Sequence, residues 1–98
     1  MYVDIKKSPL KNKKWTATFY DADSKKIRTT HFGDSRYQDL TQHKDDMRKT
    51  AYINQHMKNE DWNDYMSLGA LSRWILWEHK DRDKAIKEYM KRFNLKPL

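Results

Sequence analysis

Four histidines, His31, His43, His56 and His79, are the side chains of this sequence best suited to hold a metal ion, and their spacing does not support one. None stands at the His-x-x-x-His interval that puts two imidazoles on one helical turn, and no cysteine completes a ligand set. His31 falls in a strand-like segment and His43 near a helix start, so hydrogen-bonded structural roles are expected of both. The adjacent acids Asp45–Asp46 and Glu60–Asp61 raise the question of hydrolysis. A catalytic pair needs carboxylates converging from separate elements, whereas neighbouring acids at a helix start serve the helix dipole. There is no Gly-x-Ser-x-Gly elbow, and two glycines, Gly33 and Gly69, cannot make a phosphate-cradling loop. The expectation is a protein without enzymatic activity, cofactor or metal.

What the sequence does hold is positive charge. The formal net charge is +7, unevenly spread: +5 over residues 1–32, −2 over 33–66 and +4 over 67–98. Lys6, Lys7, Lys11, Lys13 and Lys14 precede a predicted hairpin, Lys25, Lys26 and Arg28 sit at its tip, and Lys84, Lys87, Lys91 and Arg92 line the last helical segment. Clusters of this kind neutralise phosphates and give salt-dependent, sequence-tolerant affinity. No helix-turn-helix, zinc-finger or ribonucleoprotein signature accompanies them, so sequence-specific reading is not expected. If the two basic ends meet, they form one basic face; the alternative is a charge that serves only solubility. Trp15 and Tyr20 are candidates to stack on bases. The competing class is a protein–protein module, because Trp, Tyr, Met and Arg are enriched at interfaces.

The elements that position these residues follow from periodicity. Residues 2–7, 15–20 and 26–32 alternate as strands do, with Trp15, Ala17 and Phe19 sharing one face and Ile27, Thr29 and His31 another. Asp21 to Ser24 reads as a turn. Beyond Gly33 the period becomes helical. Thr41 is the expected N-cap of a helix over about 42–58 that buries Met47, Ala51, Tyr52, Ile53 and His56. Residues 59–66 read as a loop pinned by Trp62. Ser67 caps a helix over 68–77 that is apolar almost all round, which predicts a central position; Arg73 inside it either pairs with a carboxylate or contacts a partner. Asp81 caps an amphipathic helix carrying Ala85, Ile86, Tyr89, Met90 and Phe93 on its buried side, and Pro97 ends it. The predicted fold is a single α+β domain over 1–98: an N-terminal antiparallel hairpin or three-stranded sheet (1–33) followed by three α-helices packed on it (34–98). Trp15, Phe19, Ile27, Leu71, Trp74, Ile75, Ile86, Tyr89 and Phe93 are its expected core.

Composition agrees with folding. Aromatics make up 13% of the chain, which offsets a charged fraction of 36% that would otherwise suggest disorder. No apolar run is long enough to span a membrane and the N-terminus has no signal-peptide pattern, so a non-secreted protein without membrane partners is expected.

Several stretches resemble a small uncharacterised domain family of large nucleocytoplasmic DNA viruses, including those of algae and amoebae. The resemblance runs through Trp15–Asp21, Lys25–Gly33, Tyr37, Thr41–Asp45, Arg48, Tyr52 and Trp62–Asn63. It is densest at Gly69–Trp77 and closes at Tyr89–Phe93. Where the family pattern places a Pro before the Gly-Ala-Leu stretch, this sequence has Asp64-Tyr65-Met66. The resemblance implies a viral origin, with nucleic acid or larger virion proteins as partners in the virion or the host cytoplasm or nucleus, and it brings no catalytic residues.

Overall fold

The computed structural model describes all 98 residues. Three strands form a meander: β1 (Tyr2–Lys7), β2 (Lys13–Tyr20) and β3 (Lys26–Asp34). β2 pairs antiparallel with both neighbours, placing Val3 opposite Phe19 and Ala17 opposite Thr30. The Asp21 carboxylate holds the β2–β3 turn by accepting from the amides of Asp23 and Lys25, and a register shift lies between Phe19 and Tyr20. A fourth strand, β4 (Lys96–Pro97), lies parallel to β1, giving a mixed sheet in the order β3-β2-β1-β4. The C-terminal residues therefore complete the sheet, which a division into a β part followed by a helical part does not anticipate. β4 sits at an edge, where a proline's missing donor breaks no ladder.

The helices are α1 (Leu40–His43), α2 (Asp46–His56), α3 (Leu68–Leu71), which runs on as a π-turn over Ser72–Leu76, and α4 (Arg82–Arg92). Ser67 and Asp81 cap α3 and α4 as their sequence positions predict. The expected single helix over 42–58 is instead two. Asp39, not Thr41, caps α1, with Gln42 closing a capping box. Lys44 then takes a left-handed conformation with φ of 58°, and Asp45 caps a fresh helix. Two capping aspartates six residues apart thus override a continuous helical period. α4 ends in a Schellman motif: Asn94, at φ 54°, lets the Leu95 amide donate to Met90 O and the Asn94 amide to Lys91 O. Leu95 is buried, and the chain leaves it directly into β4.

The core lies between the sheet and the α3–π-turn and α4 layer. It comprises Val3, Ala17, Phe19, Phe32, Leu71, Ile75, Leu76, Tyr89 and Leu95, with Trp15, Trp74, Ile86 and Phe93 packed half-buried against it. Ile27 departs from expectation: it is 47% exposed, because β3 turns Thr30 and Phe32 inward and Ile27 to the other side. Tyr89 donates its hydroxyl to Tyr65 O, and burial pushes its pKa well above the usual value. Gly33, at φ 82°, is required twice over. A Cβ there would be strained by the backbone and would sit 3.0 Å from Leu76 Cδ1 and 3.2 Å from Lys14 Cβ, so both neighbours would have to give way. No helix is long and apolar enough to cross a membrane.

α2 packs more loosely than its sequence suggests. It has no buried residue, Ala51 is exposed, and Met47 is 83% exposed. Its hold on the body is an aromatic column. Tyr52 stacks on Trp77 at 4.4 Å and 3° and carries the His56 ring on its other side, while His43 tilts against Trp77. Burial pushes the His43 imidazole below its ordinary pKa, and the nearby Arg48 adds to the shift. Lys49–Glu78 and Lys80–Asp46 ion pairs flank the column.

Arg73, 8% exposed, lies inside the α3–π-turn segment and meets a carboxylate, as expected of a buried arginine. Its Nη1 donates to Glu78 Oε1 at 3.2 Å. The Trp62 and Trp74 rings lie within cation–π distance of its guanidinium, and Arg92 covers Trp74 at 3.7 Å. Trp74 also donates its indole N–H to Trp62 O. Burial pushes the Glu78 carboxyl up, but Arg73 and Lys49 outweigh it and hold it below its ordinary 4.5. A depressed carboxyl contributes stability that is complete above its unfolded value and lost as pH falls through the folded one. The urea midpoint is therefore expected to drop on acidification below about pH 4.5, and Glu78→Gln is expected to flatten that part of the profile.

Candidate nucleic-acid interface

The twelve cations that the sequence nominates are distributed by the fold into two layers. β1 and β4 bring the ends of the chain together, and α4 packs on the same sheet. The acidic middle third, by contrast, forms the end of β3, α1, α2 and the loop that follows. Lys7, Lys11, Lys25, Lys26, Arg28, Lys84, Lys87, Lys91 and Arg92 are all exposed, and Lys13 is half-buried; none of these ten has an ion-pair partner. Lys6 is exposed and reaches Asp4 at 3.2 Å.

Lys14 does not belong with them. Its ammonium donates to Asp39 Oδ2 at 2.7 Å and to Gln42 Oε1 at 2.6 Å, with its side chain 14% exposed. It ties β2 to the α1 cap and is not available to phosphate. Nor do the two ends form one continuous face. Lys84, Lys87 and Lys91 follow at helical spacing on the outer side of α4, interrupted by Glu88. Lys25, Lys26 and Arg28 occupy the sheet end where Tyr2, Tyr20 and Lys96 also lie. At the opposite end, Lys7 stands across from Trp15, and Arg82 covers the Trp15 ring at 4.3 Å. Trp15 is thus half-buried on the core side and not free to stack, whereas Tyr20 lies on the face away from the helices.

Sequence reasoning missed two members of this surface. Tyr2 and Lys96 pair with each other in register, and Tyr2 pairs with Tyr20. Only the parallel β1–β4 contact brings Lys96 there, and no local signal announces a two-residue strand.

The other concave feature is a groove of about 610 Å³ between α2, the end of β3 and the α3–π-turn segment, lined among others by Tyr37, Arg48, Tyr52, Glu60, Leu68 and Trp77. Its acids are already engaged. Glu60 accepts from Trp62 Nε1 and meets His56, Asp39 holds Lys14, and Arg36 forks onto Asp34 and holds that carboxyl at about 2. His31 bonds Thr16 and His43 rests on Trp77, so the two do not meet. No cluster of three metal-ligating side chains is present.

A family profile, described as a family of unknown function (DUF5754), matches residues 3–56. The chain belongs to this family. The DUF5754 match runs from β1 to the end of α2, so it takes in the three-stranded meander, the hairpin-tip cations and the Asp39–Lys14 tie. The stretch Gly69–Trp77, densest in the viral resemblance, lies beyond the DUF5754 match. No curated protein and no solved structure matches the chain.

Proposed function

We propose that this protein binds nucleic acid without strong sequence preference, as a small non-enzymatic component of a viral particle or replication site. One observation carries the reading. The fold joins the +5 and +4 thirds of the chain into a single body whose cations, apart from Lys6 and Lys14, lack carboxylate partners within the nominated set. Unpaired cations also keep a protein soluble, so the support lies in their clustering at the hairpin tip and along α4. The resemblance to a family of large DNA viruses supports the viral setting.

The test is a titration of double- and single-stranded DNA across a salt series. Counterion release predicts a linear fall of log affinity with log salt, about a hundredfold between roughly 50 and 200 mM for about four phosphate contacts. Lys25→Glu with Lys26→Glu is expected to remove most of the binding and leave the fold intact, because both are exposed. Absence of binding to either nucleic acid at low salt overturns the reading. A second reading, a minor structural protein acting through protein contacts, draws support from Tyr37, Met47, Met57 and Leu68. These are exposed apolar side chains on or near the α2 arm.

A further inference from the structure

Reading across the sheet at one level gives Lys96, Tyr2, Tyr20 and Lys26, one residue from each of the four strands. Val3 and Phe19 point into the core, so their neighbours Tyr2 and Tyr20 point to the opposite face, which the α3 and α4 layer does not cover. The result is two phenol rings side by side with an exposed lysine at each end. With strands about 4.8 Å apart, the row spans roughly 14 Å. Neither tyrosine takes part in an aromatic pair within the protein or in a side-chain hydrogen bond, and both are half-buried. Neither lysine has an ion-pair partner.

We infer that this row is a stacking platform for single-stranded nucleic acid. The inference rests on the nucleic-acid reading above and deepens it by naming the form bound. The rings offer π-faces, which unpaired bases can cover and which bases stacked inside a duplex cannot. The flanking ammonium groups complement the phosphates on either side of the stacked bases. One row further along the same face stand Asp4, Thr18 and Thr29, and the two threonine hydroxyls make no hydrogen bond within the protein; in the row beyond, Thr16 bonds His31. The platform selects for unpaired bases and not for the sugar, and DNA and RNA strands share the chemistry it recognises. The same arrangement excludes base-specific reading, since a ring face accepts every base.

The test compares a short oligothymidylate, its duplex with oligoadenylate and an oligouridylate of equal length, all at low salt. The wild type is expected to bind the DNA strand at least about tenfold more tightly than the duplex, and ring protons of Tyr2 and Tyr20 are expected to shift upfield on binding. Each of Tyr2→Ala and Tyr20→Ala is expected to lose about tenfold for the strand, while Tyr2→Phe and Tyr20→Phe keep the affinity because they keep the ring. Lys26→Glu with Lys96→Glu is expected to weaken strand binding without changing the melting temperature by more than a few degrees. Equal affinity for strand and duplex, with the tyrosine rings unshifted, overturns the platform but leaves the charge-based reading standing. Failure to bind any of the three overturns both. Oligouridylate is expected to bind within about tenfold of oligothymidylate, since both offer unpaired bases; failure of oligouridylate to bind where oligothymidylate does overturns recognition through the rings alone.

Discussion

Phe19→Ala is expected to remove about 3–5 kcal/mol of folding stability. Phe19 is fully buried, stands opposite Val3 and meets the Tyr65 ring edge-on with centroids 5.8 Å apart. It therefore links β2, β1 and the 59–66 loop, and truncation leaves a cavity that none of these can close without breaking sheet register. Against the roughly 5–15 kcal/mol that a domain of this size commands, the variant should be marginal at room temperature. Urea unfolding of the two proteins measures it directly: the midpoint should fall while the slope stays the same. Ile27→Ala provides the internal comparison. Ile27 is 47% exposed on the other face, and its truncation should cost under about 0.5 kcal/mol. A large loss at Ile27 would contradict the register of β3.

Arg73→Ala is expected to cost about 3 kcal/mol, the lower part of the range for breaking a buried ion pair, because Glu78 keeps 21% of its side chain in water. The substitution strips the Glu78 carboxylate of one of its two cations and removes the guanidinium that fills the space between Trp62 and Trp74. A double-mutant cycle with Glu78→Gln separates these contributions. A coupling energy of about 1 kcal/mol or more assigns the loss to the ion pair, and near-additivity assigns it to the packing of the arginine between the two indoles. Trp fluorescence reports the second effect, since both indoles lose a neighbouring cation.

The α+β class, the β2–β3 hairpin and the caps at Ser67 and Asp81 are legible in the sequence, because each rests on local chemistry: alternation, a turn-forming Asp21, a hydroxyl or carboxylate at a helix start; whether residues 2–7 join the hairpin is not decided locally. Arg73 is legible for a different reason. A charge inside an otherwise apolar helix needs a partner, and Glu78 is five residues away. The misreadings share a cause. Thr41 and Asp39 are both acceptable caps, and the choice falls to Asp39 because Lys14, twenty-five residues earlier, bonds its carboxylate. The face of β3 that enters the core depends on its partner β2 and on the shift at Phe19–Tyr20, neither visible in the residues of β3 themselves. The outward Lys96–Tyr2 pair depends on a contact across nearly the whole chain. Local rules reach the elements; the pairings between distant elements decide which side chains share a surface.

The parallel contact of β1 with β4 also sets an order of events for a chain made from its N-terminus. The meander β1–β2–β3 joins neighbours through short turns, so its pairings can form as soon as residue 34 is free. The outer edge of β1 then has no partner until Lys96 and Pro97 have been synthesised and α4 has folded against the sheet. Through that interval β1 presents open backbone donors and acceptors, the feature through which incomplete sheets pair with other chains. Lys6 and Lys7 lie on this strand, beyond the two residues that β4 finally covers. Their charges discourage a second chain from adding there, both in the nascent protein and in the finished one.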